Sequence, residues 1–362
     1  MTEASLPDAP PRRLTLYPGE TVADAARKAI AFGVESMTLH QAAAEGGDAE
    51  PLHQLRVASR RLRASIEFFS GVIYAGQLKI YRRDIPWIAG QAGAVRECDV
   101  TSALLKDRAA KIDPALAESI APLFEALEAR RKSEHVVLYE MLASKRFRGL
   151  VVKMSRPAIK KIGAARTLGA AAAQFLRSIA RNSMRFGGTL DDEAPAVAFH
   201  KLRVRIKRLR YALEMLKPLG GKRQKRTLAR LEELQETLGL YHDAVVASAW
   251  LRRYAETSGA PPKTVLSAGA LIQLLAAREA KLRRRCLKAW RRFERSDAMR
   301  DTLEEIRIAG KLAVMPVTSP DPNPDPAAAH HSQSQSAPHE RNGDTRGDRN
   351  STAAHSATDL ST

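Results

Sequence analysis

The sequence is poor in several features that mark common classes of protein. Its two cysteines, Cys98 and Cys286, are too few and too isolated for a disulfide framework or a cysteine-based zinc site. No run of about eighteen apolar residues is present, so we expect no membrane-spanning helix. The N-terminal residues contain no apolar stretch typical of a secretory signal. These absences favour a cytoplasmic protein that does not enter a membrane.

Motifs for phosphate-transfer or metal chemistry are also missing. The sequence has no P-loop of the form G-x-x-x-x-G-K-[ST], and phosphoryl transfer would otherwise need a nucleophile or an acidic metal cluster. Asp99 and Asp243 are single acids near predicted helix junctions, where we expect them to cap a helix or pair with an arginine. His53 and His200 lack a second ligand three or four residues away, and His242 is expected only to cap locally. We therefore predict neither an enzyme nor a metalloprotein, and no cofactor.

Aromatic residues make up only 5% of the chain, whereas charged residues make up 27%. The abundant residues are Ala, Leu, Arg, Glu and Lys, which favour helix over sheet. The formal net charge is +19, and it is unevenly spread. Residues 316–362 hold three bases and six acids, so the tail carries −3 and the remainder carries +22. Such an excess favours an anionic partner: nucleic acid, a membrane surface or polyphosphate.

Helical periodicity is the regular pattern in this chain, and no useful length alternates with period two. Helices are predicted at about residues 21–43, 50–69, 75–92, 99–111, 114–143, 166–184, 194–216, 222–238, 243–257 and 266–295. Residues 1–18 are polar and rich in proline, which predicts a flexible arm. Residues 313–362 lack periodicity and are rich in polar residues and proline, which predicts a disordered tail. The pattern as a whole predicts an all-α fold.

An internal repeat is the most informative feature of the sequence. Residues 52–69 read LHQLRVASRRLRASIEFF, and residues 199–216 read FHKLRVRIKRLRYALEML, at an offset of 147 residues without a gap. A shorter echo relates residues 93–97 to residues 239–243 at an offset of 146. Each echo falls near the end of the next predicted helix. The repeat predicts an internal duplication that forms two pseudo-symmetric four-helix bundles, one in residues 19–150 and one in residues 151–312.

On a helical wheel, each copy of the repeated helix has a basic face and an apolar face. The first copy places His53, Arg56, Arg60 and Arg63 on one side and Leu55, Leu62, Ile66 and Phe69 opposite them. The second copy places His200, Arg203, Lys207 and Arg210 on one side and Leu202, Leu209, Leu213 and Leu216 opposite them. Arg61 and Arg208 widen the basic faces. Glu67 and Glu214 each follow an arginine by four residues, and we expect them to orient Arg63 and Arg210.

The chemistry of these basic faces suits an extended phosphate polymer. Arginine presents a rigid fork of donors that matches phosphate oxygens and stays charged. Arginines spaced by three and four residues lie in a row along one face of a helix, so they match a chain of phosphates better than a single phosphate. The basic faces have no regular aromatic interleaving that would stack nucleobases. The pattern therefore favours a polyanion without bases, and sequence-nonspecific nucleic-acid binding remains the alternative.

The repeated motif H-x-L-R-V-x-x-[RK]-R-L-R resembles the CHAD domain, the conserved histidine α-helical domain. The segment GAVRECDV at residues 93–100 is similar to the family's Gly-x-x-Arg-Asp-x-Asp-Val element, with Glu97 in place of the first Asp. The resemblance covers about residues 15–310. It implies two four-helix bundles related by a pseudo-twofold axis. It also implies binding of inorganic polyphosphate on a central basic surface and association with polyphosphate granules.

The resemblance carries over to residues that match the motif. These are His53, Arg56, Arg60, Arg61 and Arg63 in the first copy, and His200, Arg203, Lys207, Arg208 and Arg210 in the second. Secondary candidates, by position alone, are Arg82, Arg83, Lys225 and Arg226. Members of the family are often fused to a triphosphate-tunnel catalytic domain, whose Glu-x-Glu-x-Lys signature is missing here. The chain therefore resembles a stand-alone binding module.

Overall fold

The computed structural model describes residues 14–161, apart from 42, 43, 45, 47 and 48, and residues 165–312. Most of the predicted N-terminal arm and the predicted tail lie outside these residues. The first half contains α1 (Val22–Leu39), α2 (Ala49–Phe68), α3 (Ala75–Ala109), α4 (Pro114–Ala117), α5 (Ala121–Ala143) and α6 (Lys145–Ser155). The second half contains α7 (Leu168–Gly187), α8 (Ala196–Met215), α9 (Lys222–Thr257), α10 (Pro262–Glu294) and α11 (Ala298–Leu312), with a 3₁₀ turn at Lys217–Leu219.

The described residues form helices and no β-strand, which confirms the all-α prediction. None of these helices combines the length and the apolar character that crossing a bilayer requires. Several helix starts carry a side-chain cap. The hydroxyls of Thr21, Thr167 and Ser144 accept backbone N–H bonds at the starts of α1, α7 and α6.

Two predicted helix breaks are wrong. α3 and α9 run without interruption through Gly93 and Gly239, where the sequence predicts a junction. A Cβ atom built on Gly93 would lie 3.2 Å from Nη1 of Arg56, so this glycine makes room for a guanidinium rather than for a turn. Asp243 therefore lies inside a helix and cannot be an N-cap, and the same holds for Asp99.

Other boundaries also differ from the prediction. The predicted helix at 114–143 is split, because α4 ends at Ala117 and α5 starts at Ala121. α6 and α11 are not among the predicted helices. α6 follows α5 directly, and Ser144 serves as the C-cap of one and the N-cap of the other.

The two halves repeat the same order of neighbours. α1 packs against α2, α2 against α3 and α3 against α5, while α7 packs against α8, α8 against α9 and α9 against α10. Thr21 and Thr167, which cap equivalent helices, face each other in an antiparallel bridge. The N–H of Val22 donates to the carbonyl of Arg166 at 2.8 Å, and the N–H of Leu168 donates to the carbonyl of Glu20 at 2.8 Å. These reciprocal bonds mark the pseudo-twofold relation between the halves.

The apolar faces of the two repeated helices form part of one hydrophobic core. The residues predicted for these faces are Leu55, Leu62 and Ile66 in α2 with Phe69 just after it, and Leu202, Leu209 and Leu213 in α8 with Leu216 just after it. None of them is more than 2% exposed. α2 and α8 also pack against each other, and the Ser65 hydroxyl lies 3.7 Å from the sulfur of Met215. The duplication therefore brings the two repeated helices together at the middle of the molecule.

Candidate polyanion-binding site

A group of basic side chains lies where α2 meets α8. Arg56 and Arg60 come from α2, and Arg203 and Lys207 come from α8; we call these four residues the central cluster. Three of them line a cleft of about 90 Å³. α3 adds Arg96 to the cleft, and α9 adds His242 and Asp243. Lys207 is 9% exposed and lies beside the arginines.

The cations of the central cluster lie close enough to disturb one another. The pKa of Arg56 is lowered to about 10, mainly by burial and then by the nearby charges of Arg60 and Arg203. Burial also lowers the pKa of Lys207 to about 6, with Arg203 and Arg60 acting in the same direction. Lys207 is therefore largely neutral at pH 7, and the arginines around it carry the charge.

Two carboxylates, Glu97 and Asp243, line the cleft, and Asp243 is the one whose charge acts on the central cluster. Burial raises the pKa of Asp243, and the charges of Arg203 and Arg56 counteract that effect. Glu97 occupies the equivalent position in the first half, but it pairs with Arg130 at 3.0 Å. The electrostatic interaction between Asp243 and Arg203 agrees with the prediction that Asp243 lies near an arginine. The two carboxylates carry less charge than the four guanidinium groups that line the cleft, so the cleft keeps an excess of positive charge.

Two buried donors in the central cluster have no partner among the described residues. The Nε atoms of Arg56 and Arg203 are buried and make no hydrogen bond. These two arginines occupy equivalent positions in the repeat, 147 residues apart. An unpaired buried donor costs about 1–3 kcal/mol. A phosphate oxygen is a suitable acceptor, because arginine binds phosphate through parallel N–H bonds.

The repeated histidines have different neighbours in the two halves. His200 Nδ1 lies 3.3 Å from His242 Nδ1, and their ring centroids are 4.6 Å apart. Burial lowers the pKa of His242 to about 3, with Arg203 contributing, and burial also lowers the pKa of His200. Both rings are therefore neutral at pH 7. In the first half, Arg96 occupies the position equivalent to His242. The pKa of His53 is lowered mainly by burial, and the charge of Arg96 acts in the same direction.

His242 is thus a site residue that the sequence interpretation missed. It lies in the middle of α9 and contacts His200 of the neighbouring helix α8, so the prediction of local capping is wrong. Arg96 was missed in the same way. The offset of 146 residues that relates residues 93–97 to residues 239–243 aligns Arg96 with His242. That alignment was the signal that both residues belong beside the repeated helix.

The other motif residues lie away from the cleft. Arg63 lies near Arg208 across the contact between α2 and α8, and burial followed by that like charge lowers its pKa. The buried Nε of Arg208 also has no partner among the described side chains. Arg61 is exposed. Arg210 donates to Glu214 at 2.8 Å and to Gln235 at 2.9 Å, so internal acceptors already hold it.

The two glutamates at equivalent positions of the repeat have different partners. Glu214 orients Arg210, as its spacing predicts. Glu67 instead accepts two bonds from Arg82, at 3.2 and 3.1 Å, so the predicted hydrogen-bonded pair with Arg63 is replaced. α3 brings Arg82 within reach of Glu67, which a single-helix wheel cannot show.

The secondary candidates lie outside the central cluster. Glu67 holds Arg82, and the buried Asp84 holds Arg83 at 2.7 and 2.8 Å. Lys225 and Arg226 are exposed near the start of α9. Arg226 lines a separate pocket with Arg223 and Arg230, and none of the four lines the central cleft.

The fold and the cleft together define a duplicated, all-helical protein in which two basic helices converge. The family model described as CHAD domain matches residues 28–252, and the chain belongs to the CHAD domain family. No curated protein sequence matches the chain.

Solved structures that resemble the chain include the following two. One is PptA from Streptomyces chartreusis, with a TM-score of 0.63 and 18% identity over 75% of this chain and 100% of the other. The second is the CHAD domain from the plant Ricinus communis, with a TM-score of 0.63 and 24% identity over 78% of this chain and 95% of the other. At these identities, the similarity shows a shared fold.

Proposed function

We propose that this protein binds inorganic polyphosphate at the central cluster and associates with polyphosphate granules. The observation that carries the proposal is the pair of unpartnered, buried Nε donors of Arg56 and Arg203 at one cleft. An anion would satisfy both donors and offset the repulsion among the neighbouring cations. The resemblance of the repeated motif to a polyphosphate-binding family supports the same ligand.

An extended ligand suits the arrangement better than a single phosphate. Arg56 and Arg63 lie seven residues apart on α2, so their backbones are separated by about 10 Å along the helix. Arg63 lies beside Arg208 from α8, so the basic surface extends along the contact between the two helices. A linear polymer places successive phosphates along such a line.

Nucleic acid is the second candidate, because contacts to a phosphate backbone carry no sequence information. Its bases need a stacking surface for tight single-strand binding, commonly an aromatic side chain. The residues that line the central cleft include no Phe, Tyr or Trp. That composition favours a polymer without bases.

Binding without turnover is the proposed activity. Metal-assisted phosphoryl chemistry uses ions held by several acidic ligands. In the described part of the chain, no three His, Cys, Asp or Glu side chains group as metal ligands would. Asp243 is surrounded by cations, which repel a metal ion.

A competition titration tests the choice of ligand. Polyphosphate and single- and double-stranded nucleic acid of equal total charge are titrated at about 0.15 M salt. We expect polyphosphate to bind more tightly than either nucleic acid. Equal or tighter binding of nucleic acid would overturn the proposed ligand.

A paired substitution tests the location of the site. Arg56→Gln with Arg203→Gln removes both unpartnered donors, and we expect polyphosphate affinity to fall at least tenfold. The matched control is Arg156→Gln with Arg253→Gln, which removes the same charge from two exposed positions, one in each half. Equal affinities for the two double variants would place the site elsewhere. In cells, a tagged wild-type protein should colocalise with polyphosphate granules, and the central variant should not.

A further inference from the structure

A second basic surface lies on α10 and shares no lining residue with the central cleft. It is a groove of about 750 Å³, which we call the α10 groove. Its lining contains five bases, Arg284, Lys288, Arg291, Arg292 and Arg295, and one acid, Asp192. All five bases are exposed. The α10 groove is therefore a concave surface dominated by charge of one sign.

The bases of the α10 groove form a stripe. Arg284, Lys288, Arg291 and Arg295 follow one another at intervals of four, three and four residues. Helical geometry places them within about 60° on one side of α10 and over about 16 Å of its length. Trp290 and Phe293, on another side of the helix, are buried in the core. The core thus fixes which side of α10 faces the solvent.

Most of this charge is not neutralised by the described part of the protein. Arg291 lies 3.6 Å from Asp192, and Arg292 pairs with Glu233 of α9. Arg284, Lys288 and Arg295 make no ion pair or side-chain hydrogen bond among the described residues. Three cations therefore face one groove with their donors available.

The duplication does not account for this stripe. α10 contains nine bases and two acids, whereas α5, which packs on the equivalent helix of the first half, contains three bases and four acids. A charge pattern inherited from the repeat would appear in both halves. The stripe is therefore a feature of the second half alone.

We propose that the α10 groove is a second polyanion-binding site, which takes a segment of linear phosphate polymer independently of the central cluster. The ligand class rests on the proposed function. The groove lining supports that class, because its bases are arranged along a line and it contains no Phe, Tyr or Trp. One molecule would then hold two polymer segments and link long chains to one another.

The helix itself supplies a matched pair of variants. Arg284→Gln with Lys288→Gln removes two charges from the groove. Lys281→Gln with Arg285→Gln removes one lysine and one arginine, also four residues apart and exposed on the same helix, but neither lines the groove. The two variants lose the same charge and differ in where it is lost.

Calorimetric titration with a short polyphosphate, too short to reach both sites, measures the number of chains bound. We expect two chains for the wild type and for the Lys281/Arg285 variant, and one for the Arg284/Lys288 variant. With long polyphosphate, we expect turbidity from cross-linking in the first two proteins and its loss in the third. Circular dichroism checks that all three remain helical.

The outcomes separate this proposal from the proposed function. If the Arg284/Lys288 variant still binds two chains, the second site is overturned while the central site stands. The same holds if the wild type binds one chain and the Arg56/Arg203 variant binds none. If the Arg56/Arg203 variant retains two bound chains, the proposed function fails and the α10 groove is judged by its own variant. If the groove variant loses binding of nucleic acid but keeps both polyphosphate chains, the proposed ligand of the groove is wrong.

Discussion

Lys207 is a residue of the central cluster whose pKa lies close to neutral pH. Burial and the nearby arginines hold its pKa at about 6 in the free protein. A bound polyanion reverses the repulsion and raises that pKa, so binding takes up a proton above pH 6. Affinity for polyphosphate should therefore fall as pH rises from about 6.5 to 8.5.

Binding measured across that range checks the assignment, with Lys207→Arg as the control. Arginine stands at the equivalent position in the first copy, Arg60, and it stays charged throughout the range. We expect a flatter pH profile for Lys207→Arg than for the wild type. The neighbouring His200 and His242 are unchanged in this variant, so an equally steep profile would assign the proton to them instead.

The same residue should limit stability. The pKa of Lys207 falls from 10.5 to about 6 on folding, so the unfolded state binds more protons between these values. Stability should therefore rise with pH across this window. Lys207→Met removes the desolvation cost, and we expect the free energy of unfolding at pH 7 to increase by about 1 kcal/mol or more. Urea denaturation measures the free energy of unfolding. A less stable Lys207→Met protein would contradict this explanation.

At the scale of helices, Gly93 and Gly239 offer an internal comparison. A Cβ on Gly93 would lie 3.2 Å from Nη1 of Arg56, whereas a Cβ on Gly239 would lie 3.6 Å from Nη2 of Arg203, an ordinary contact. We expect Gly93→Ala to displace the Arg56 guanidinium and weaken polyphosphate binding several-fold. Gly239→Ala should leave affinity unchanged and add up to about 1 kcal/mol of helix stability. Titration and denaturation of both variants decide this, and equal affinities would show that Arg56 has room to move.

The docking of α11 on α7 depends on two glycines in contact. A Cβ on Gly310 would collide with the backbone of Gly169, which cannot move as a side chain can. We expect Gly310→Ala to lower the melting temperature, at a cost of about 1–3 kcal/mol. Gly269→Ala in α10 is the control, because nothing lies within 4 Å of a Cβ there. If the two variants have the same melting temperature, the contact between α7 and α11 contributes little to stability.

The sequence predicts some of these elements better than others. Period and spacing locate the apolar faces of α2 and α8, because burial of one side of a helix imposes its own periodicity. They do not locate the contact between His200 and His242, since that depends on how α8 packs against α9. A glycine is ambiguous for a similar reason: Gly93 indicates a turn when α3 is considered alone, and its actual role depends on Arg56 in α2.

At the scale of the whole molecule, duplication explains why the site is central. Each copy of the repeated helix supplies half of the central cluster, and the contact between α2 and α8 joins the halves. Neither half alone presents both unpartnered arginines to one cleft. The excess charge of the chain is concentrated in part at this contact and in part along the α10 groove.

A double-mutant cycle tests most directly whether the two copies form one site. Polyphosphate affinity is measured for the wild type, Arg56→Gln, Arg203→Gln and the double variant at one salt concentration. If both arginines grip the same stretch of polymer, each single variant loses affinity, and the double variant departs from additivity by about 0.5–3 kcal/mol. Strictly additive losses, or no loss in either single variant, would contradict a shared central site.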